Sequence, residues 1–225
     1  MIDVSVIIPI YRPGPLVYEA IDSILAQAHA ALEIIVVDDG SEDGTAESIE
    51  QRDIPNLRVL TQINAGPASA RNRGLTFARG SVVAFLDADD LWLPGRLDLQ
   101  LQILQSNPDA DMVMGNTVGF GEETEDGHQR FRANWESQQL LQLGSVIVKR
   151  EVFDSVGMFD PALRFAEDVD WFLRAREAGV TMIEHPDPVL KYRRHANNMT
   201  NDTESRDKGF IGALRKNLQR KRSGK

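Results

Sequence analysis

Apolar residues in the first half of the chain follow two patterns, short and nearly continuous runs and stretches at helical spacing. The runs occupy residues 4–8, 34–37, 57–60 and 82–86, and only Ser5 and Arg58 within them are polar. Runs of this length are typical of strands buried on both faces of a sheet, and the stretches between them have the spacing of amphipathic helices. An alternation of strands and helices predicts an α/β domain with a mainly parallel central sheet.

The second half of the chain has a less regular pattern. Strands are predicted near 112–114, 145–148 and 189–193, and helices at 94–104, 135–143, 150–156 and 167–178. Gly179 is suited to end the last of these helices. Residues 119–133 are polar and contain glycine, so a loop is predicted there.

Composition is that of an ordinary globular protein. The chain has 225 residues, of which 42% are hydrophobic and 26% charged, and it is long enough to form a sizeable core. It contains no cysteine, which excludes disulfides and thiolate metal sites. The net charge of -9 argues against general binding to nucleic acid, because proteins that bind nucleic acid are usually basic.

The two ends of the chain give evidence on the cellular location of the protein. A strand-like run begins at Val4, which leaves no room for a secretory signal, and no apolar stretch approaches the roughly 20 residues that span a bilayer. We therefore expect a cytoplasmic protein. Residues 206–225 form a basic tail with Arg215, Lys216, Arg220, Lys221, Arg222 and Lys225. Such a tail could contact a partner, or anionic lipid at the inner membrane face, but we favour a frayed and solvated end.

Three carboxylates follow the fourth apolar run within four positions, at Asp87, Asp89 and Asp90. Carboxylates this close repel one another, and burying one without a partner is costly. A divalent cation or the hydroxyls of a ligand would offset the repulsion. Mg²⁺ and Mn²⁺ favour such oxygen ligands and commonly keep substrate phosphates in their shell. The alternative is a solvated acidic turn that caps a helix opening at Pro94.

Polar side chains also follow two of the other predicted strands, with Tyr11 after the first and Asp38 and Asp39 at the end of the second. Because α/β sheets bind ligands beyond the carboxyl ends of their strands, these residues and the three aspartates should converge on one edge. The chain lacks a Walker sequence and a G-x-G-x-x-G fingerprint, so a dinucleotide-binding domain is not predicted. Asp38 and Asp39 could accept hydrogen bonds from a base or a ribose. Alternatively, their turn is structural, with Ser41 or Asp43 capping the next helix.

Several further candidates have both a structural and a functional explanation. Glu167, Asp168 and Asp170 open a helix, where the helix dipole favours acidic residues, but one of them could act as a general base. Arg71 could be a surface charge, could face a diphosphate, or could pair with the aspartates. His195 could be exposed or could complete a metal shell.

Five motifs in sequence resemble those of family 2 glycosyltransferases. They are VIIPIY at 6–11, VVDDGS at 36–41 with DGT at 43–45, NAG at 64–66 with ARNRG at 70–74, LDADD at 86–90 with Trp92 and Pro94, and Glu167-Asp168 with Arg174. The resemblance runs from about residue 4 to about residue 200 in the family's order. It implies a single three-layer αβα domain of the nucleotide-diphospho-sugar transferase type over residues 1–205. A donor-binding half would occupy about 1–115 and an acceptor half about 116–205.

The resemblance also implies roles for individual residues on the donor side. The residues that would contact the nucleotide sugar are Pro9, Tyr11, Asp38, Asp39, Arg71, Asp87 and Asp89. Asp87 would face the ribose, and Asp89 would hold a Mn²⁺ or Mg²⁺ ion that bridges the donor's phosphates. His195 is of the right type to be a second metal ligand. Two departures lie at the edge of this pocket: Arg12 stands where the family often has asparagine, and Glu42 where it often has threonine.

On the acceptor side, Asp168 matches the acidic residue that acts as the base on the acceptor hydroxyl. Glu167, Trp92 and Arg174 would contact the acceptor or support the site. Trp92 is equally explained as part of the core or the wall of a cleft.

We therefore expect a hexosyltransferase-type glycosyltransferase that moves a sugar from a UDP- or GDP-sugar to a glycan or lipid-linked acceptor, with inversion. Such an enzyme would serve polysaccharide, glycolipid or cell-surface glycan biosynthesis. One alternative is a sugar nucleotidyltransferase, which should carry a glycine-rich, basic N-terminal loop. The other is a non-catalytic sugar-nucleotide or carbohydrate-binding module, which should have lost some aspartates, whereas Asp87, Asp89 and Asp168 are all present.

Overall fold

The computed structural model of the chain describes residues 3–30, 32–121, 137–195 and 198–223. The strands within these residues are β1 Val4–Ile10, β2 Leu32–Asp38, β3 Leu57–Thr61, β4 Val82–Phe85, β5 Leu91–Trp92, β6 Met112–Gly121, β7 Val146–Lys149 and β8 Met182–Arg194. The helices are α1 Leu16–Leu25, α2 Thr45–Glu50, α3 Pro67–Phe77, α4 Arg96–Ser106, α5 Val152–Val156, α6 Glu167–Glu177 and α7 Thr203–Ser223.

The eight strands of the described residues form one sheet in the order β3-β2-β1-β4-β7-β6-β8-β5. The first four strands in this order are all parallel to one another. In the other half, β7 is antiparallel to both β4 and β6, β6 is parallel to β8, and β5 is antiparallel to β8. The parallel arrangement predicted from the apolar runs therefore describes the first half best.

Helices cover both faces of the sheet, which gives three layers. One core contains apolar side chains of α1, α2 and α4, and the other contains those of α3, α5 and α6. Each fully buried Ile or Val contributes about 1.5–3 kcal/mol relative to an exposed one. The helix α3 lies especially close to β1, because a Cβ atom at Gly74 would lie 2.5 Å from Cγ2 of Ile7.

The C-terminal segment forms a packed helix, so the prediction of a frayed and solvated tail is wrong. The helix α7 lies against α6, and Lys216 pairs with Asp160. Arg220 donates to Oε2 of Glu177 at 2.7 Å and to Oδ1 of Asp170 at 3.0 Å. The acidic partners come from distant parts of the chain, so the local basic pattern did not show them. The predicted boundary after residue 205 falls inside α7.

The region around β6 differs from its prediction in two ways. The predicted helix at 135–143 is absent from the described residues 137–142, where Gln138 instead pairs with Thr117 of β6. Residues 119–121 belong to β6, and the rest of the predicted 119–133 loop lies outside the described residues. No helix of the described residues is long and apolar enough to cross a membrane.

Candidate active site

The carboxyl ends of β1, β2 and β4 meet at one edge of the sheet, because these three neighbouring strands are parallel. Ile10, the last residue of β1, is opposite Asp38 in β2. Tyr11 and Asp39 therefore leave the sheet side by side, and Asp87 follows the neighbouring strand β4. The convergence predicted from the strand order is present in the structure.

A cleft of about 830 Å³ opens at the ends of β1 and β2. Tyr11 and Asp38 line it together with three residues from the other side, Gln62, Ile63 and Asn64. The side chain of Tyr11 is 51% exposed, so its ring is available to a ligand. Gln62 and Ile63 belong to none of the five motifs, so the sequence does not single them out.

Arg12 also lines this cleft, and its side chain is held on the turn after β2. Its backbone N–H donates to Oγ of Ser41 at 2.9 Å, and its Nε donates to the Ser41 carbonyl at 3.2 Å. The φ angle of Arg12 is +47° and that of Glu42 is +54°. This left-handed region favours Asn among non-glycine residues, which gives a physical reason for the asparagine that the family often has at position 12.

Asp38 and Asp39 are neighbours in the sequence, but their carboxylates have different hydrogen-bond partners. The carboxylate of Asp39 accepts hydrogen bonds of 2.8 Å from the side chain of Gln62 and from the backbone N–H groups of residues 65–66. It is only 4% exposed and fixes the loop that leads into α3. Oδ1 of Asp38 accepts from the N–H of Ser41 at 3.0 Å and from its hydroxyl, while the residue borders the cleft.

The buried side chain of Arg71 joins two acidic elements. Its Nη2 donates to Oδ1 of Asp87 at 2.6 Å, and its Nη1 donates to Oε1 of Glu167. Burial alone would lower the pKa of Arg71, but the charges of Asp87 and Glu167 raise it above its usual value. Among the three explanations of Arg71, the structure therefore shows the pairing with carboxylates, and a direct contact with the donor stays a prediction.

Asp168 stands apart from the two other acidic residues that open α6. Glu167 pairs with Arg71, and Asp170 pairs with Arg174 at 2.9 Å. Burial, followed by the charge of Glu167, raises the pKa of Asp168 to about 6, while the charge of Arg71 opposes this shift. A carboxylate with this pKa is mostly ionised at neutral pH and is more basic than an ordinary aspartate, which suits it to accept a proton.

Asp89 lies near two side chains from the C-terminal part of the chain. Its Oδ2 is 3.1 Å from Nε2 of His195 and 3.3 Å from Nδ2 of Asn198. Burial and then the charge of Asp87 raise the pKa of Asp89, and its bond with His195 opposes the shift. The link to Asn198 was not predicted, because residues 109 positions apart leave no local spacing signal.

Asp90 does not cap a helix, contrary to the suggested alternative. Helix α4 begins at Arg96 after Gly95, without a side-chain cap. Asp90 is 1% exposed, and its Oδ1 accepts from the backbone N–H of Arg193 at 2.8 Å. Burial and the charges of Asp89 and Asp87 raise its pKa well above the usual range. Asp90 therefore ties the aspartate loop to β8.

The residues at Asp89 fit a Mn²⁺ or Mg²⁺ ion. The described residues contain no group of three or more His, Asp or Glu side chains that could hold a metal by themselves. Asp89 and His195 offer an oxygen and a nitrogen ligand, and such ions commonly take few protein ligands and fill their shell with water and substrate phosphates. Burial and then the charge of Asp87 raise the pKa of Asp89, and a cation would relieve the repulsion between these two carboxylates.

The remaining candidates are Pro9, Trp92 and Arg174, and their contacts with a donor or an acceptor stay predictions. Pro9 is part of β1, opposite Val37 in β2. Trp92 is 3% exposed and belongs to the core. Arg174 donates to the carbonyl oxygens of residues 156 and 158, at 2.6 Å and 2.7 Å, and so ties the loop after α5 to α6.

Comparison with known protein families matches residues 5–168 to "Glycosyl transferase family 2". The chain belongs to this family. A glycosyltransferase of Rickettsia prowazekii is 29% identical over 88% of this chain and 66% of its own length. The glycosyltransferase EpsJ of Bacillus subtilis is 31% identical over 88% of this chain and 62% of its own length. The chain thus spans about two thirds or less of these relatives.

Solved structures show the same fold. A fragment of TarS from S. aureus in complex with UDP has a TM-score of 0.71 at 23% identity, covering 86% of this chain and 61% of that one. The mannosyltransferase PcManGT from Pyrobaculum calidifontis, in complex with GDP-Man and Mn²⁺, has a TM-score of 0.74 at 24% identity, covering 96% and 64%. The predicted A-type nucleotide-diphospho-sugar transferase fold and the family resemblance are confirmed.

Proposed function

We propose that this chain transfers a sugar from a nucleotide-diphospho-sugar to an acceptor hydroxyl, with inversion and with a divalent cation. The observation that carries the proposal is the bridge made by Arg71 between Asp87 and Glu167. It places the aspartate loop, which fits a cation and a donor, next to the helix start that carries Asp168, which fits a base. A binding module needs only the first of these.

The family residues suggest a direct displacement. Asp168 takes the proton of the acceptor hydroxyl as its oxygen forms a bond to the anomeric carbon from the face opposite the diphosphate. The bond from that carbon to the diphosphate breaks, and the nucleoside diphosphate leaves with the electron pair. A bound Mn²⁺ or Mg²⁺ would stabilise the charge on the leaving diphosphate. The hydrogen bonds of Arg71 keep Asp87 next to the start of α6.

The cleft beside β1 and β2 suits a uracil or guanine nucleotide. The carboxylate of Asp38 can accept a hydrogen bond from a base N–H, and Tyr11 offers an exposed ring for stacking. The structural neighbours bind UDP, UDP-GlcNAc and GDP-Man, which supports a UDP- or GDP-sugar as donor. We further propose a glycan or lipid-linked acceptor in polysaccharide, glycolipid or cell-surface glycan biosynthesis.

The proposal is tested by screening UDP- and GDP-sugars by thermal shift, with Mn²⁺, with Mg²⁺ and with chelator. A ligand at 100 times its Kd stabilises a protein by about 2.7 kcal/mol, so the donor should stand out. Release of the nucleoside diphosphate is then measured with that donor. We expect release that depends on the cation and is lost in Asp168→Asn, while the donor still shifts the melting temperature of this variant.

The control variant is Asp154→Asn, which changes an exposed aspartate on α5 and should behave like the wild type. A donor that stabilises the protein without any release of nucleoside diphosphate, across acceptors, would favour the binding module. Stabilisation by no nucleotide sugar would contradict the proposal altogether.

A further inference from the structure

The helix α7 carries its polar residues toward the protein and its large apolar residues toward solvent. The residues of α7 that face α6 and the loop before it are small or polar: Gly209, Ala213, Lys216, Asn217 and Arg220. The side chains on the outer face are large and apolar, and they are 38–52% exposed: Phe210, Ile211, Leu214 and Leu218. We call these four the outer stripe.

This arrangement is the reverse of an ordinary surface helix, which buries its apolar face. Residues 210, 214 and 218 recur at intervals of four and therefore form one continuous row along the helix, with Ile211 beside it. Scattered exposed apolar residues need no explanation, but a contiguous apolar stripe marks an interaction surface. The ion pairs on the inner face fix which side of α7 points outward.

Basic side chains lie beside the outer stripe. The helix α7 contains seven basic and two acidic residues, although the whole chain has a net charge of -9, and two of the basic residues, Lys216 and Arg220, are paired on the inner face. Arg215, Lys221 and Arg222 are exposed on the helix beside the stripe. A symmetric contact between two copies of α7 would bring these like charges together. A surface that combines an apolar layer with negative charge satisfies both features.

We propose that the outer face of α7 docks on an anionic lipid bilayer. The outer stripe enters the boundary between headgroups and acyl chains, and the basic side chains beside it contact lipid phosphates, as in interfacial amphipathic helices. The helix lies in the plane of the surface and does not cross it. This contact does not depend on the proposed transfer reaction.

The docked helix would also lie between the bilayer and the segment that leads to the candidate base. A Cβ atom at Gly209 would lie 2.6 Å from Cβ of Phe165, so α7 presses directly on the segment that leads to Asp168. If the proposed transfer is correct, an acceptor held in the bilayer would approach the site from the α7 side. This consequence, unlike the docking itself, rests on the proposed function.

The docking is tested by flotation of the full chain with vesicles of phosphatidylcholine containing 30% phosphatidylglycerol, and with vesicles of phosphatidylcholine alone. We expect binding to the first and little to the second. The triple variant F210S/L214S/L218S should bind at least tenfold more weakly. The triple variant R215Q/K221Q/R222Q should bind on the order of 100-fold more weakly, since each basic residue near an anionic surface contributes about 1 kcal/mol.

The matched control is Leu141→Ser, an apolar residue with similar exposure outside α7, which should bind vesicles like the wild type. Melting temperatures show that the variants remain folded. Absence of wild-type binding, or binding that both triple variants retain, would overturn the proposal. A wild-type dimer that F210S/L214S/L218S converts to a monomer, without any vesicle binding, would assign the stripe to a second copy instead. Donor binding without vesicles reports separately on the proposed function.

Discussion

The two halves of the sheet build their parts of the site in different ways. In the β3-β2-β1-β4 half, parallel strands end at one edge, and the residues proposed to face the donor lie at or just after those ends. In the β7-β6-β8-β5 half, strand directions are mixed, and the register between β6 and β8 shifts between residues 114 and 117. The site residues of this half are held by side-chain hydrogen bonds between residues that are far apart in the sequence, such as the bond between His195 and Asp89.

The difference teaches that the proposed donor side follows from the order of the strands, whereas the position of the proposed base depends on particular side-chain contacts. Strand ends place Tyr11, Asp38 and Asp87 without specific contacts between them. Asp168 reaches the same region on α6, which is held by core packing and by two arginines: Arg71 pairs with Glu167, and Arg174 donates to the carbonyl oxygens of residues 156 and 158. Substitutions in the two halves should therefore have different effects on turnover and on stability.

The largest effect should follow from removing the proposed cation ligand on the donor side. Asp89→Asn removes the negative charge that a Mn²⁺ or Mg²⁺ ion needs, and turnover should fall about 1000-fold, since the ion's charge stabilisation is worth several kcal/mol. Steady-state release of the nucleoside diphosphate measures this. The control Asp98→Asn changes an exposed aspartate on α4 and should leave turnover unchanged. Normal turnover in Asp89→Asn would exclude it as a ligand.

A second substitution breaks the link between the halves. Arg71→Met leaves the nearly buried Glu167 and the partly exposed Asp87 without their shared cation. Breaking a buried pair typically costs about 3–5 kcal/mol, and we expect the lower end because Asp87 is partly solvated. Urea denaturation measures the free energy of unfolding. Arg52→Met removes a surface pair with Asp22 and should cost no more than about 1 kcal/mol, and an equal loss in both variants would contradict the bridge.

The pH dependence of turnover should report the base. Asp168 must be ionised to accept a proton, and its pKa is raised to about 6. With donor and cation saturating, turnover should be level above pH 7 and should fall roughly tenfold per unit well below pH 6. Arg71 lowers the pKa of Asp168, so Arg71→Met should move this limb to higher pH. A profile that stays flat down to pH 5 would show that a different group acts as base.

The smallest effect on stability should follow from a substitution on α7. Arg220→Met removes bonds to Asp170 and Glu177, but Asp170 keeps Arg174, so the loss should be about 1 kcal/mol of unfolding free energy. Donor affinity should not change. Arg222→Met alters an exposed neighbour and should stay within about 0.5 kcal/mol of the wild type. A weaker donor affinity in Arg220→Met would show that α7 acts on the donor side as well.

The same contrast explains how much of the molecule the sequence predicts. The strands β1 to β4 contain nearly continuous apolar runs, and parallel order then fixes where Asp38 and Asp87 lie. The two-residue strand β5 has no such signal, and β8 contains Pro186 and Pro188, which weaken a strand pattern.

The partners of the site residues were less predictable than their positions. Nothing near Asp90 in the chain indicates that it accepts from the backbone of Arg193, 103 positions away. The role of α7 was misjudged for the same reason, because its basic residues pair with Asp160, Asp170 and Glu177 on other elements. Local spacing places a residue on an element but does not report which distant charge it meets.

The most direct test of the account compares donor affinity in Asp89→Asn and Asp168→Asn by calorimetry with Mn²⁺. We predict that both variants lose turnover but that only Asp89→Asn loses donor affinity, because Asp168 acts on the acceptor after the donor has bound. Equal loss of donor affinity in the two variants, or near-normal turnover in Asp168→Asn, would contradict the division of the site into a donor half and a base.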